Sequence, residues 1–454
     1  MLAHFTMSMK KSVMPLLALA ASPHELPPWW TLLPFLLQLL AIALLPFLAP
    51  HWWERHYPKV ALILGGGTVL YYLFIRGDRA HPLAALHEYV SFIILMAALF
   101  IVAGGIHIEV KGEATPWRNT LFLVLGACLS NLIGTTGASM LLIRPWIRMN
   151  NERITGFHSV FFIFLISNIG GCLTPIGDPP LFLGFLKGVP FFWTLKHLWQ
   201  PWALMVILLA AIFYLLDRGN FLKVLKVQKA PRQVRELETR TETGGETWKV
   251  EGWWNLLPLA AILGAIFLPT PWREVVMSAA AIFSWLMTPA RIHGKNEFNA
   301  APIKEVAWLF LGIFATMMPA LDYLEHHAQG LAQTLGMGSQ HFYYFTGILS
   351  SLLDNAPTYL SFLSVELGLR GGSVNNPHDV LQVAIQAPEH LIAISLGAVF
   401  FGAMTYIGNG PNFMVKSIVA SSGVKTPGFV DYLLRYSLPI LLPLLVLVGW
   451  LFLR

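Results

Sequence analysis

The 454-residue chain is poor in charge. Asp, Glu, Lys and Arg supply 12% of it, while apolar residues supply 56%. A soluble domain carries roughly 25% charge, so an ordinary soluble fold is excluded. The expectation is an all-α polytopic membrane protein. Only two cysteines occur, Cys128 and Cys172, both in apolar or small-residue surroundings. They read as buried free thiols, and two cysteines alone make a poor metal site. No GxxxxGK[ST] run is present. Gly65-Gly66-Gly67 lies in an apolar run with no strand before it, and reads as close helix packing. With no ATP-binding domain and no ATPase subunit implied, any transport is secondary. The net charge of +6 is not a nucleic-acid signal, because the basic residues fall in loops between apolar runs.

The apolar runs organise the chain. Residues 1–28 read as a signal peptide: Lys10-Lys11, an apolar core from Val13 to Leu19, then Ala18-Leu19-Ala20 as a cleavage pattern. Its alternative is an uncleaved tail. Spans follow near 29–49, 59–75 and 88–109. The run 119–147 is apolar at both ends but interrupted at Ser130–Gly137. Each arm is too short to cross ~30 Å at ~1.5 Å per residue, so a re-entrant hairpin is expected. A broken span near 155–187 and a full span near 198–216 complete residues 29–216. Residues 217–252 form a mixed-charge hydrophilic linker. Residues 253–454 repeat the order: spans near 253–269, 274–290 and 305–321, a connection carrying His326, His327 and His341, an interrupted segment near 342–369, a broken span near 389–419 and a last span near 431–452. Each half then makes five crossings, an odd number, so the halves would be two inverted repeats. The face that holds the linker collects most of the 30 Lys and Arg. It is therefore the cytoplasmic face, with both termini outside and a multi-pass chain in the cell membrane.

Two stretches stand out. Gly170-Gly171-Cys172-Leu173-Thr174-Pro175-Ile176-Gly177-Asp178-Pro179-Pro180 breaks a helix with prolines and glycines inside an apolar segment. Gly402-Ala403-Met404-Thr405-Tyr406-Ile407-Gly408-Asn409-Gly410-Pro411-Asn412-Phe413 repeats it. Gly171/Gly402, Thr174/Thr405, Ile176/Ile407, Gly177/Gly408, Pro180/Pro411 and Phe182/Phe413 are identical pairs, and Asp178 faces its near-isostere Asn409. Paired interrupted segments are the best sequence pointer to a transporter's binding site.

These motifs, with Ser130-Asn131 and Asp354-Asn355-Ala356-Pro357-Thr358, resemble the ion-transporter superfamily. That group includes NhaD-type sodium/proton antiporters, citrate and dicarboxylate carriers, and arsenite or silicon efflux permeases. The chain is most similar to the NhaD-like and citrate-transport branch. The resemblance implies a homodimer, with scaffold and transport domains and an elevator-type movement. The paired Ser-Asn-Thr signature of dicarboxylate carriers is incomplete at Ser130-Asn131-Leu132 and at Ser351-Leu352-Leu353.

The residues themselves favour a cation. Sodium wants oxygen ligands, which freed carbonyls and Ser, Thr and Asn side chains supply. One site would gather Ser130, Asn131, Gly134, Thr135, Thr174, Gly177 and Asp178. The other would gather Ser350, Asp354, Asn355, Thr358, Thr405, Gly408, Asn409 and Asn412. Sodium, as substrate or coupling ion and not as a cofactor, would sit at Asn131, Asp178, Asp354 and Asn409. The alternative for the Ser and Asn residues is helix capping. Asp178 and Asp354 are the proton-carrying candidates, because a carboxylate away from water can hold a proton near neutral pH and trade it for a cation. Their alternative is again capping. The function expected is sodium (or lithium)/proton antiport. The alternatives are a cation-coupled citrate or dicarboxylate carrier and a proton-coupled arsenite or silicic acid permease. An enzyme is not expected: a hydrolase would need two converging carboxylates, and no GxGD run is present. His107 and His158 read as satisfied buried histidines.

Overall fold

The computed structural model describes residues 26–109, 114–151, 153–228, 249–335 and 338–453. The proposed signal peptide lies almost wholly outside the described residues. The helices are α1 (Leu33–Leu48), α2 (Pro50–Leu70), α3 (Ala80–Gly104), α4 (Pro116–Met149), α5 (Gly156–Leu165), α6 (Pro179–Lys187) and α7 (Trp193–Gln228). They continue as α8 (Leu256–Ala265), α9 (Trp272–Met287), α10 (Ala290–Lys295), α11 (Ala301–Leu335), α12 (Ser339–Leu352) and α13 (Asn355–Leu369). The last are α14 (Pro377–Gln386), α15 (Pro388–Phe401), α16 (Gly410–Ser421), α17 (Phe429–Tyr432) and α18 (Leu442–Phe452). The described strands, His107–Glu109 and Lys249–Glu251, pair antiparallel. Among the described residues, eight helical stretches have the length and hydropathy to cross a membrane, or nine if the bent pair α14–α15 counts as one. Many large apolar side chains face outward, among them Ile63, Phe74, Ile207 and Leu286, which suits a lipid surround. The fold is all-α and polytopic.

Helix α4 is long enough to be counted as a crossing, yet it turns back on itself. Gly134 alone leaves helical geometry, at φ 76° and ψ 155°. Glycine reaches that left-handed backbone without steric cost. The arms then run side by side: the rings of Phe122 and Trp146 stack with centroids 5.4 Å apart, and Asn119 Nδ2 donates to Asn150 Oδ1 at 2.7 Å. A straight helix would separate those asparagines by ~46 Å at ~1.5 Å per residue. Helices α12 and α13 form a second hairpin, broken at Leu353-Asp354, with Phe342 and Phe362 6.4 Å apart.

Helix α7 shows how the hairpins lie. Near its start, Trp193 Nε1 donates to Ala384 O at 2.9 Å. Ala384 sits in α14, just before α15, whose His390 meets Glu366 Oε2 at the base of the second hairpin, 2.7 Å away. Further along α7, buried Asp217 binds Arg153, His158 and Asn119 at the base of the first hairpin. The stretch of α7 between these anchors is ~36 Å long at ~1.5 Å per residue. The two hairpins therefore enter from opposite ends of the helical framework.

Several expected boundaries shift. The span near 88–109 ends at Gly104, and the chain turns into the short sheet. Helix α7 runs on to Gln228, into the stretch expected as linker, and residues 229–248 lie outside the described residues. The spans near 253–269 and 274–290 are shorter, α8 and α9, because Pro269 and Pro271 end one helix and set the start of the next. His326 and His327 lie within α11, not in a connection. Both cysteines are free, but only Cys172 is buried; Cys128 is exposed. Gly65 packs against Gly312 and Ala315, whereas Gly66 and Gly67 have open space around them.

Candidate functional site

The first break runs from Ile166 to Asp178, between α5 and α6. Its backbone folds tightly: a Cβ on Gly177 would lie 2.0 Å from Gly171 O. Only glycine fits there. Thr174 closes the loop, its Oγ1 donating to Asn131 O at 2.6 Å and accepting from Gly177 N at 3.2 Å. Pro179 and Pro180 fill the first turn of α6, where a missing N–H costs nothing. Asp178 is left at the N-cap position, but its side chain makes no capping bond.

That side chain turns to the protein's centre. Asp178 is 1% exposed. Its Oδ1 accepts from Thr135 Oγ1 at 2.8 Å and from Asn409 Nδ2 at 3.0 Å, and its Oδ2 accepts from Asn355 Nδ2 at 2.6 Å. Thr135 belongs to the tip of the first hairpin, Asn355 to the tip of the second, and Asn409 to the second break. All three partners are neutral and buried. The carboxylate is thus the point where both hairpin tips and both breaks meet, and among the described residues no basic side chain bonds to it. Asn355 Oδ1 is buried and has no hydrogen-bond partner. It is a free carbonyl-type oxygen beside a carboxylate, and oxygens of this kind suit a hard cation.

The second break copies the first. Thr405 Oγ1 donates to Ser351 O at 2.6 Å and accepts from Gly408 N at 3.2 Å. A Cβ on Gly408 would meet Ser350 O at 2.6 Å and Gly402 O at 2.7 Å. Asn409, like Asp178, holds an N-cap position without a capping bond. Ser130 Oγ donates to Ile166 O at 2.8 Å, and Ser350 Oγ donates to Ala398 O at 2.6 Å, so each hairpin is fastened to the broken helix of its own half.

The residues expected to form two separate sites therefore sort differently. Thr135, Asp178, Asn355 and Asn409 converge in one shared cluster, with Asn412 one step away. Ser130, Ser350, Thr174, Thr405, Gly134, Gly177 and Gly408 shape the loops around it. Asn131 is used structurally: its Oδ1 accepts from Leu173 N at 2.8 Å and its Nδ2 donates to Ala127 O at 3.2 Å. Asp354 caps α13, accepting from Ala356 N at 3.1 Å, and Thr358 Oγ1 donates to Asp354 O at 2.9 Å. Among the described residues, no group of three or more His, Cys, Asp or Glu could hold a metal ion.

Two residues of the cluster escaped the sequence reading. Ser167 O accepts from Asn409 Nδ2 at 3.1 Å, and Asn168 bonds both Asn409 and Asn412. The signal was available: Ser167-Asn168 repeats the dipeptide Ser130-Asn131 inside an apolar run, with only Ile169 between it and Gly170-Gly171. His158 is a satisfied buried histidine, bonded to Asp217 and Thr155. His107 lies in the short sheet and meets Asn296 Oδ1 at 2.7 Å.

A family model described as "Putative citrate transport" matches residues 24–453. A 46 kDa membrane protein of Mycobacterium leprae (strain TN) is 24% identical over 336 residues, covering 69% of this chain and 72% of that protein. The family match takes in nearly the whole chain, its helices are those of a multi-pass membrane transporter, and the chain belongs to this putative citrate-transport family.

Proposed function

We propose that the protein is a secondary active transporter in which the Asp178 carboxylate takes up a proton or a cation in turn, and that the transported pair is sodium (or lithium) and proton. One observation carries this reading: Asp178 is buried, does not cap its helix, and is held by Thr135, Asn355 and Asn409 alone. A carboxylate with only neutral partners needs a proton or a cation to balance it away from water. Both ligands compete for the same oxygens, and that competition is antiport. Asp354 is the weaker proton carrier of the two, because its side chain is engaged as a cap.

In this reading the two halves are inverted repeats and the hairpins with their broken helices move as one body against the remaining helices. The face rich in Lys and Arg is cytoplasmic and both termini are external. The protein works as a homodimer with no ATPase subunit. The test is the purified protein in vesicles carrying a pH-sensitive dye. Added sodium or lithium should release protons in the wild type and none in Asp178→Asn. A wild type that releases no protons with either ion defeats the proposal.

The family match supports a second reading, cation-coupled carriage of citrate or a dicarboxylate. Sodium-dependent uptake of labelled citrate by the same vesicles would decide for it. Against it stands the cluster itself, in which no basic side chain bonds Asp178 to offer a fixed charge to a multivalent anion.

A further inference from the structure

Asn409 Nδ2 carries two hydrogens and faces three acceptors. They are Asp178 Oδ1 at 3.0 Å, Ser167 O at 3.1 Å and Asn168 Oδ1 at 3.2 Å. Asn168 is fully buried and connects onward. Its Nδ2 donates to Asn412 Oδ1 at 2.7 Å and to Ile163 O at 2.9 Å. Asn412 Nδ2 in turn donates to Gly402 O at 2.8 Å and Thr405 O at 2.9 Å, both in the backbone of the second break. Room for Asn168 comes from the repeat itself: a Cβ on Gly402 would sit 3.1 Å from Asn168 Oδ1. Asn168 has no twin, since Val399 stands at the matching position of the second half.

We propose that Asn168 is a positioning residue for the Asp178 site, offering Asn409 an alternative acceptor when Asp178 is filled and passing that change through Asn412 to the second break. The proposal rests on Asp178 being the exchanging group. When the carboxylate is empty and charged, it draws one hydrogen of Asn409. When a proton or cation occupies it, that hydrogen turns to Asn168 and Ser167. Asn168 thus stabilises the filled state. The other ionisable groups facing the cluster are Asp354 and Cys172, and neither changes in the test.

The test is the pH profile of sodium-driven proton release from vesicles, with thermal midpoints of the same preparations in detergent. In Asn168→Ala the pH of half-maximal activity should move down by about one unit, a roughly ten-fold loss of proton affinity, the scale of one hydrogen bond between neutral groups. Ser139→Ala removes a neighbouring hydroxyl bond to Ser167 Oγ and should leave the midpoint in place. An Asn168→Ala profile that stays put or moves up overturns the proposal, even if the thermal midpoint falls. Asn168→Ser is read in the same way if the alanine variant does not fold. If neither folds, Asn168 serves as a terminator for α5 and the proposal is overturned. Sodium-driven release that survives Asp178→Asn defeats the underlying reading instead, so the two failures are distinct.

Discussion

The two breaks use one design and differ where it matters. In each, a threonine hydroxyl reaches a hairpin carbonyl at 2.6 Å and holds a glycine N–H at 3.2 Å. In each, a residue before a proline-rich helix start sits at the cap position without capping. The first break places Asp178 there and the second places Asn409, and the two bind each other. One buried carboxylate is thus held by parts of both halves. The loop-closing bonds are shared architecture, and on the proposed reading the chemistry falls to the unlike pair Asp178 and Asn409.

The sharpest way to break this comparison is to move the charge. Asp178→Asn should abolish ion-driven proton release in vesicles. Adding Asn409→Asp to it should restore part of the activity if the charge belongs to the shared cluster. A double variant as inactive as the single would tie the role to the first break alone.

The hairpin bases differ as well. Asp217 and Arg153 are both buried at the first base, whereas Arg370 at the second is over a third exposed beside Glu366. Removing one partner of a buried pair costs about 3–5 kcal/mol. Asp217→Ala should therefore lower the thermal midpoint in detergent well beyond Glu366→Ala. Equal losses would mean that the exposed pair contributes as much as the buried one.

Overpacking comes next. Gly177→Ala and Gly408→Ala each drive a methyl into backbone, at 2.0 Å and 2.6 Å from the nearest oxygen. Each should destabilise by about 1–3 kcal/mol or more, with Gly177→Ala the worse. Thermal midpoints with the reverse order would show that the first loop has slack. The smallest effect is expected from Thr174→Val and Thr405→Val, about 1 kcal/mol each. Their bonds to the hairpin carbonyl and the glycine N–H match, but Thr405 Oγ1 also accepts from Ile407 N at 3.1 Å, so Thr405→Val should lose slightly more, and a larger loss in Thr174→Val would show that the extra bond adds nothing.

Much of this was legible in the sequence, for physical reasons. Proline pairs and glycines inside apolar runs announce a broken helix, and the repeat of Gly171–Phe182 as Gly402–Phe413 marked both breaks. Arm length alone showed that 119–147 must turn back. The convergence on Asp178 was not legible, because its partners Asn355 and Asn409 are remote in sequence and only packing brings them together. The same holds for Asn168, whose role depends on how the start of the first break faces the second. Hydropathy also misplaced the end of α11. Its apolar pattern fades near Leu321, but Leu324 and Ala328 keep one face against the core, and the helix carries His326 and His327 with it.

Gly134 has a consequence for the topology of everything after it. Because the chain reverses there, α4 adds no net passage, whereas its length and composition would score as one. Read as a passage, it would exchange inside for outside at every later loop, including the whole second half. The sidedness of some three hundred residues hangs on a single left-handed glycine.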